Sequence, residues 1–555
     1  MKRQRIEVEV AVRGMTCDSC RRHVEESLGE VPGVESVLIA NWKDGKAKVV
    51  TDQDVSGKDL VQAVEKAGYS ADIHDRKTIM EDEPRSGKYD YDLVIVGGGS
   101  AAFSAAIRAS ELGARAVIIN EGLPIGGTCV NVGCVPSKTL IRAAEEVHCA
   151  SHARFRGIQA AARVSDAAAL FDQKRELVNE LRGKKYVDIV SGDPNITILE
   201  GRGTVTGEHT VEVNGRSITA RRILVATGAS PFVPDIPGLA ESGYLTNETA
   251  YELDEIPEKL IVLGGRYIAL ETAQMFARLG SRVTVLQRSE RILPDEGEDL
   301  TEALTGYLRK EGIDIRTGVQ IESVGREGTM IRVKARISGM EETIEGNHVF
   351  VATGRRGNAS GLGLEKVGVV VGSGGYLPVD EFLRTSSSSI FGAGDVIGSP
   401  MFVYTAAYEG ALAAENALAG DNMRARDYSA LPWVIFTDPQ VAGVGLDERQ
   451  AKEKGIDVDT STLSMDLLPR ALAAFDTRGF IKLIRNTASD RLVGARILAP
   501  EGGELLMEIS LAIRYDIPVS ELAARFHPYL TLSEAVKLAA IGFTRDVKTL
   551  SCCAG

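Results

Sequence analysis

Residues 91–122 read YDLVIVGGGSAAFSAAIRASELGARAVIINEG. Leu93 to Val96 form a short apolar run, the length of a buried strand. The chain turns on Gly97 and Gly99, takes helical spacing from Ala102, and returns to an apolar run that ends at Glu121-Gly122. A strand, Gly-x-Gly-x-x-Ala, a helix, a strand and an acid in that order form the dinucleotide-binding fingerprint. The glycines let backbone approach a pyrophosphate at a helix N-terminus, and Glu121 can accept from a ribose hydroxyl. A glycine triplet alone is weak evidence; the agreement of all the parts predicts an α/β fold built on a parallel sheet.

A second unit of this kind spans 259–289, KLIVLGGRYIALETAQMFARLGSRVTVLQRS. Gly264 opens its turn, Arg266 stands where the second glycine belongs, and Ala269 stands for the third. Its second strand ends in Gln287-Arg288 rather than in an acid, which favours the 2′-phosphate of NADPH. Between the two units lies GGTCVNVGCVPSKTL, residues 126–140, whose Cys129 and Cys134 are spaced to pair on a helix near the first nucleotide site.

The chain has 555 residues, enough for roughly three or four domains. Hydrophobic residues make up 44% and charged residues 25%, so real cores can form. The net charge of -13 argues against nucleic acid or an anionic membrane as partner. No apolar run reaches the ~18–20 residues of a membrane span, and the basic start alternates rather than forming a secretion signal. These features predict a cytoplasmic protein. Six of the seven cysteines fall in close pairs, which in a reducing compartment points to metal binding or redox chemistry. Cys149 stands apart and reads as a small buried hydrophobe.

Near the N-terminus Ile6, Val8, Val10 and Val12 alternate as in a strand, and GMTCDSC (residues 14–20) leads into a helix with Val24 and Leu28 inward. Further strands at 34–39 and 47–51 and a helix at 58–66, closed by Gly68, give a βαββαβ order, that of a ferredoxin-like domain. Cys17 and Cys20 at the start of the first helix can hold a soft ion between two thiolates. A thioredoxin-like redox pair has the wrong strand order. The stretch resembles the heavy-metal-associated domains of copper chaperones and metal ATPases over about residues 5–73. The polar segment after it reads as a flexible linker.

The sequence around Cys129 and Cys134 resembles the pyridine nucleotide–disulfide oxidoreductases, as do Ala226–Gly228, Ala352–Gly354 and FGAGDV at 391–396. The resemblance covers about residues 91–555. It implies two Rossmann-like domains for FAD and NADPH and an α+β dimerisation domain. The expected boundaries are a metal-binding domain at 1–75 and a linker at 76–90. An FAD domain at 91–242 and 356–425 would be interrupted by an NADPH domain at 243–355, and 426–555 would dimerise. It also implies residue roles. Cys134 would face the flavin as a charge-transfer thiolate, Cys129 would be the interchange thiol, and Lys138 and Glu271 would pair beside the flavin. Gly97, Gly99, Ala102, Glu121, Gly122, Thr128, Lys138, Thr204, Asp395 and Val403 would contact FAD. Gly264, Tyr267, Ala269 and Arg288 would contact NADPH, with Tyr267 gating the nicotinamide pocket. The family is dimeric, and each C-terminal domain completes the partner's site.

The chain departs from that family in HPYLTLSE, residues 527–534. Aligning TLSE puts Tyr529 where the disulfide reductases carry an acid–base histidine, and a phenol with a reference pKa of about 10 shuttles protons poorly at neutral pH. The chain then ends in LSCCAG, with Cys552 and Cys553 adjacent. These departures, with the N-terminal metal domain, resemble the mercuric reductases. In that branch a second tyrosine, here Tyr186, lines the site. The resemblance implies NADPH-dependent reduction of Hg(II) to volatile Hg(0). Thiol complexes of Hg(II) would enter through Cys552 and Cys553, the metal would pass to Cys129 and Cys134, and Cys17 and Cys20 would bind further metal. Two rival readings are a disulfide reductase fused to a metal domain and a flavoprotein that only sequesters metal.

Overall fold

A computed structural model gives the fold and describes residues 5–16, 18–39, 42, 45–52, 55–79, 88–420 and 422–550. Cys17, Cys552 and Cys553 lie outside the described residues, as does most of the expected linker.

The N-terminal unit has the expected order: β1 (Arg5–Arg13), α1 (Asp18–Gly29), β2 (Val34–Leu38), β3 (Lys46–Asp52), α2 (Gly57–Lys66) and β4 (Ser70–Ile79). Its sheet runs β2-β3-β1-β4, all antiparallel. Alternation along β1 buries Val8, Val10 and Val12 against Val24, Leu28, Leu60 and Val64 of the two helices. Ser56 caps α2 by accepting from Asp59 N at 3.2 Å, and Gly68, at φ +89°, turns the chain out of it. The sequence boundary at residue 75 is too early, because β4 pairs with β1 as far as Ile79 opposite Arg5. The exposed polar side chains of Asp75 and Arg76 read as linker, yet an edge strand covered on one face accommodates them.

The first dinucleotide unit forms β5 (Tyr91–Val96), α3 (Ser100–Glu111) and β6 (Ala116–Asn120). Helix α4 (Gly127–Val132), α5 (Cys134–Ser151), α6 (Ala167–Arg182), β7 (Ile196–Glu200), β8 (Thr204–Gly207), β9 (Thr210–Val213) and β10 (Arg216–Val225) follow. The sheet runs β7-β6-β5-β10-β9-β8, with β5, β6, β7 and β10 parallel. The inserted unit has β11 (Lys259–Leu263), α7 (Tyr267–Leu279), β12 (Arg282–Leu286), β13 (Asp314–Arg316) and β14 (His348–Val351) in a parallel sheet ordered β13-β12-β11-β14. The chain then returns to the first sheet, where β15 (Ile390–Gly392) pairs with β10, and enters α8 (Val403–Leu418), which packs on α3.

The last unit is an antiparallel sheet of β16 (Pro432–Ile435), β17 (Gln440–Gly445), β18 (Val458–Ser464), β19 (Phe480–Asn486) and β20 (Arg491–Ala499), ordered β16-β17-β20-β19-β18. Helices α9 (Leu506–Arg514) and α10 (Glu534–Ile541) share its apolar core. Val547 and Leu550 pack against that core, and the Arg485 guanidinium lies 4.3 Å from the centre of the Phe543 ring. Among the described residues no helix is long and apolar enough to cross a membrane.

Candidate active site

The glycines after β5 are required by close approach. A Cβ on Gly97, at φ +121°, would sit 2.2 Å from the Ala226 carbonyl oxygen, and one on Gly127 would sit 2.7 Å from Gly99 Cα. Helix α3 starts at Ser100, two residues before Ala102, because Gly99 in extended conformation already serves as its N-cap. No side chain caps it, so its first N–H groups remain available to a phosphate. Glu121 is exposed just past β6, facing Arg202 at 3.8 Å, and Gly122 follows at φ +84°. At the far end of the site Asp395 is partly buried, and desolvation raises its carboxyl pKa; Arg355 Nη2 stands 3.8 Å away. The buried Nε of Arg355 has no partner. A glycine cradle, an uncapped helix and a partly buried Asp–Arg pair with spare hydrogen-bonding capacity suit a group with a pyrophosphate and a polyhydroxyl chain, as in FAD. Val403 opens α8, and Thr128 lies in α4. The Thr204 methyl faces the Gly363 turn, and the preceding Gly203 abuts Val96 and Ile119 at the strand ends.

Cys129 and Cys134 lie on two helices rather than one. The break is at Gly133, where a Cβ would press to 2.9 Å from the Thr128 carbonyl oxygen. Cys134 thereby becomes the first residue of α5, at the positive end of an 18-residue helix. Both cysteines are free. A hydrogen bond from Cys129, aided by the Lys138 ammonium, pulls the Cys134 thiol down to about 7. The same shared proton, with burial, pushes the Cys129 thiol up. Lys138, one turn along α5, meets Glu271 of α7 at 2.6 Å. The other Glu271 oxygen accepts from Phe436 N at 2.9 Å, and Lys138 Nζ lies 4.6 Å from the centre of the Phe436 ring. Phe436, just past β16, escaped sequence reasoning, since nothing local in FTDP marks a residue that serves another domain.

Tyr186 sits in a single π-helical turn, Gly183–Val187, which follows α6. Its ring meets Phe103 edge-on at 5.0 Å, and its hydroxyl hydrogen-bonds Ser100. A Cβ on Gly126 would come within 3.3 Å of it. Burial raises its phenol pKa, and both Cys129 and Cys134 act on it electrostatically, so the fold brings this tyrosine to the cysteine pair. Tyr529 is exposed, on a loop where Leu530 takes φ +62°. His527 is turned away from that exposed face, its Nε2 2.8 Å from Glu508 of α9. Cys149 is exposed on α5, contrary to its sequence reading: Leu140 and Ala144 mark the buried stripe, and Cys149 falls off it.

In the second unit Gly264 at φ +118° repeats the Gly97 geometry, its Cβ position 2.4 Å from Ala352 O. Ala269 is buried in α7 and Arg288 is exposed past β12. Tyr267 stacks on Trp433 at 6.0 Å, and burial pushes its phenol up to about 12.

With this geometry the chain matches the pyridine nucleotide-disulphide oxidoreductase family over residues 91–410, its dimerisation domain over 431–540, and the heavy-metal-associated domain over 9–70. A mercuric reductase from Staphylococcus aureus is 42% identical over 549 residues, 99% of each chain. The chain belongs to the mercuric reductase family. Another mercuric reductase, from Acidithiobacillus ferrooxidans, is 43% identical over 99% of each chain. The mercuric reductase of Streptomyces lividans is 45% identical, covering 84% of this chain and 98% of its own length. Among solved structures, a Cu(II) complex of the HOCl-induced flavoprotein disulfide reductase RclA from Escherichia coli superposes with a TM-score of 0.73. It shares 29% identity and covers 81% of this chain and 98% of its own. These mercuric reductases match over nearly their whole length, and the flavin core shares the fold of a flavoprotein disulfide reductase.

Proposed function

We propose that the chain takes Hg(II) from its thiol complexes and reduces it to volatile Hg(0) at Cys129 and Cys134, at the expense of NADPH. The divided proton of that pair carries the reading. Cys134, the thiolate, displaces one ligand thiolate from RS–Hg–SR. Cys129 then displaces the second and yields its proton to it, leaving the metal between the two cysteine sulfurs with RS⁻ and RSH released. FAD held on the glycine cradle and reduced by NADPH supplies the two electrons that convert Hg(II) to Hg(0). Lys138, fixed by Glu271, keeps positive charge beside Cys134 so that its sulfur stays a ready ligand. Tyr186 flanks the exchange, and a phenol at Tyr529 in place of an imidazole suits a reaction whose one proton passes from Cys129 to the leaving thiolate and calls on no separate acid–base.

Cys552 and Cys553 take the metal in, and Cys17 and Cys20 hold further metal in the N-terminal domain. The protein works as a homodimer in which Tyr529 and the terminal cysteines serve the partner's site. Met507, Leu511, Tyr515 and Phe526, all exposed on the last domain, form the apolar face such a dimer covers. Chemistry that relies on thiol pairs and NADPH suits a reducing compartment such as the cytoplasm.

The test is NADPH oxidation by the purified enzyme with HgCl₂ in excess thiol, with mercury vapour collected, beside parallel assays with oxidised glutathione and lipoamide. Turnover with the disulfides and none with Hg(II) would sink the proposal in favour of a disulfide reductase. Stoichiometric metal binding without NADPH consumption would sink it in favour of a sequestering protein.

A further inference from the structure

Helix α7 begins with the same N-cap backbone as α3. Arg266 has φ −105° and ψ −170°, and Gly99 has φ −93° and ψ −171°. Neither helix has a side-chain cap. The phosphate-facing N–H groups of a dinucleotide site are therefore kept in the second unit, but a guanidinium replaces a hydrogen atom at its lip. That guanidinium forms an ion pair with Asp295. Asp295 belongs to the loop after β12, on the other side of the crevice above the carboxyl ends of β11 and β12 where a dinucleotide binds. The loop is fastened there: buried Leu293 donates its N–H to Gly265 O at 2.9 Å, and Glu296 holds Arg496 at 2.7 Å. Both partners of the pair are more than half exposed, so phosphate can compete for the arginine. Arg288, on the same loop, has no carboxylate partner among the described residues.

We propose that Arg266 is a pyrophosphate-binding residue for NADPH and that Asp295 is its resting counter-ion, exchanged for phosphate when the dinucleotide binds. This rests on the NADPH reading of the second unit. The arrangement divides the work between two cations: Arg266 takes the pyrophosphate common to NAD and NADP, and Arg288 takes the 2′-phosphate that separates them. A glycine here would let backbone approach more closely. The arginine replaces that contact with a charge-assisted, two-pronged one.

The experiment is calorimetric titration of the oxidised, FAD-loaded enzyme with NADP⁺ and with NAD⁺. Arg266→Gln is expected to weaken both by about tenfold. Asp295→Asn is expected to tighten both by about threefold, because a competing carboxylate is gone. In the double variant the Asp295→Asn gain should vanish. Two results would overturn the proposal: Arg266→Gln binding both dinucleotides within twofold of wild type, or Asp295→Asn keeping its effect without the arginine. Loss confined to NADP⁺ would move Arg266 to the 2′-phosphate and overturn the pyrophosphate assignment. Wild-type enzyme that binds neither dinucleotide would overturn the nucleotide reading and this proposal with it.

Discussion

Phe436 serves Lys138 in two ways at once: its ring lies 4.6 Å beneath the ammonium, and its backbone N–H fixes Glu271, the carboxylate that pairs with that ammonium. Three domains thus meet at one lysine. Gln274 extends the joint, its side chain exchanging hydrogen bonds of 2.8 Å with both N and O of Asp438. The charge beside Cys134 is accordingly set by contacts between domains as well as by α5.

Replacing Lys138 with Met should raise the Cys134 pKa, because the thiolate loses a nearby cation. With its thiol pulled down to about 7, Cys134 in reduced wild type should alkylate with iodoacetamide at a rate that climbs through pH 7 and levels off above it. In the variant the curve should move to higher pH by about one unit, slowing alkylation at pH 7 several-fold. An unchanged pH profile would remove Lys138 from this role.

Anaerobic reduction of the flavin-loaded protein should produce a long-wavelength thiolate-to-flavin band. Cys134→Ser should abolish it, while Cys129→Ser should retain or strengthen it. Survival of the band in Cys134→Ser would reverse the two assignments.

Tyr529→His restores the imidazole of a disulfide reductase, from which ligand exchange gains nothing, and should slow Hg(II) reduction because the tyrosine helps hold or strip the metal. Steady-state turnover with HgCl₂ in excess glutathione reports it. Faster turnover would contradict the placement of Tyr529 at the substrate.

Deleting residues 1–85 should leave turnover of small thiol complexes nearly intact. The N-terminal sheet has its own core, and one relative spans only 84% of this chain. Loss of most activity in glutathione buffer would make Cys17 and Cys20 obligatory.

Mixing tests whose site the terminal cysteines serve. A heterodimer of a Cys129→Ala/Cys134→Ala subunit with a Cys552→Ala/Cys553→Ala subunit should recover toward half of wild-type activity if the tail works across the dimer. If it works within one subunit, the heterodimer should be as poor as its parents.

Local rules made most of this fold legible. The run from Leu93 through the glycines to Glu121 carries strand, turn and helix signals that agree, and the alternation of β1 and the closing Gly68 mark the first domain. Three features were out of reach for physical reasons. The helix break at Gly133 depends on a clash with Thr128 that only packing reveals. The extent of β4 depends on pairing with β1, where Ile79 lies opposite Arg5 at the other end of the domain. The Phe436 contact joins positions 165 residues apart. Cys149 was misjudged because composition and spacing do not fix which way a side chain faces.

The anchoring of Leu550 to the last domain's core sets a leash length. Cys553 is three residues beyond it, so covalent geometry alone keeps its Cα within about 10 Å of Leu550. A substitution that loosens Leu550 from the core, such as Leu550→Ala, would move the point from which the terminal pair departs without altering a single ligand.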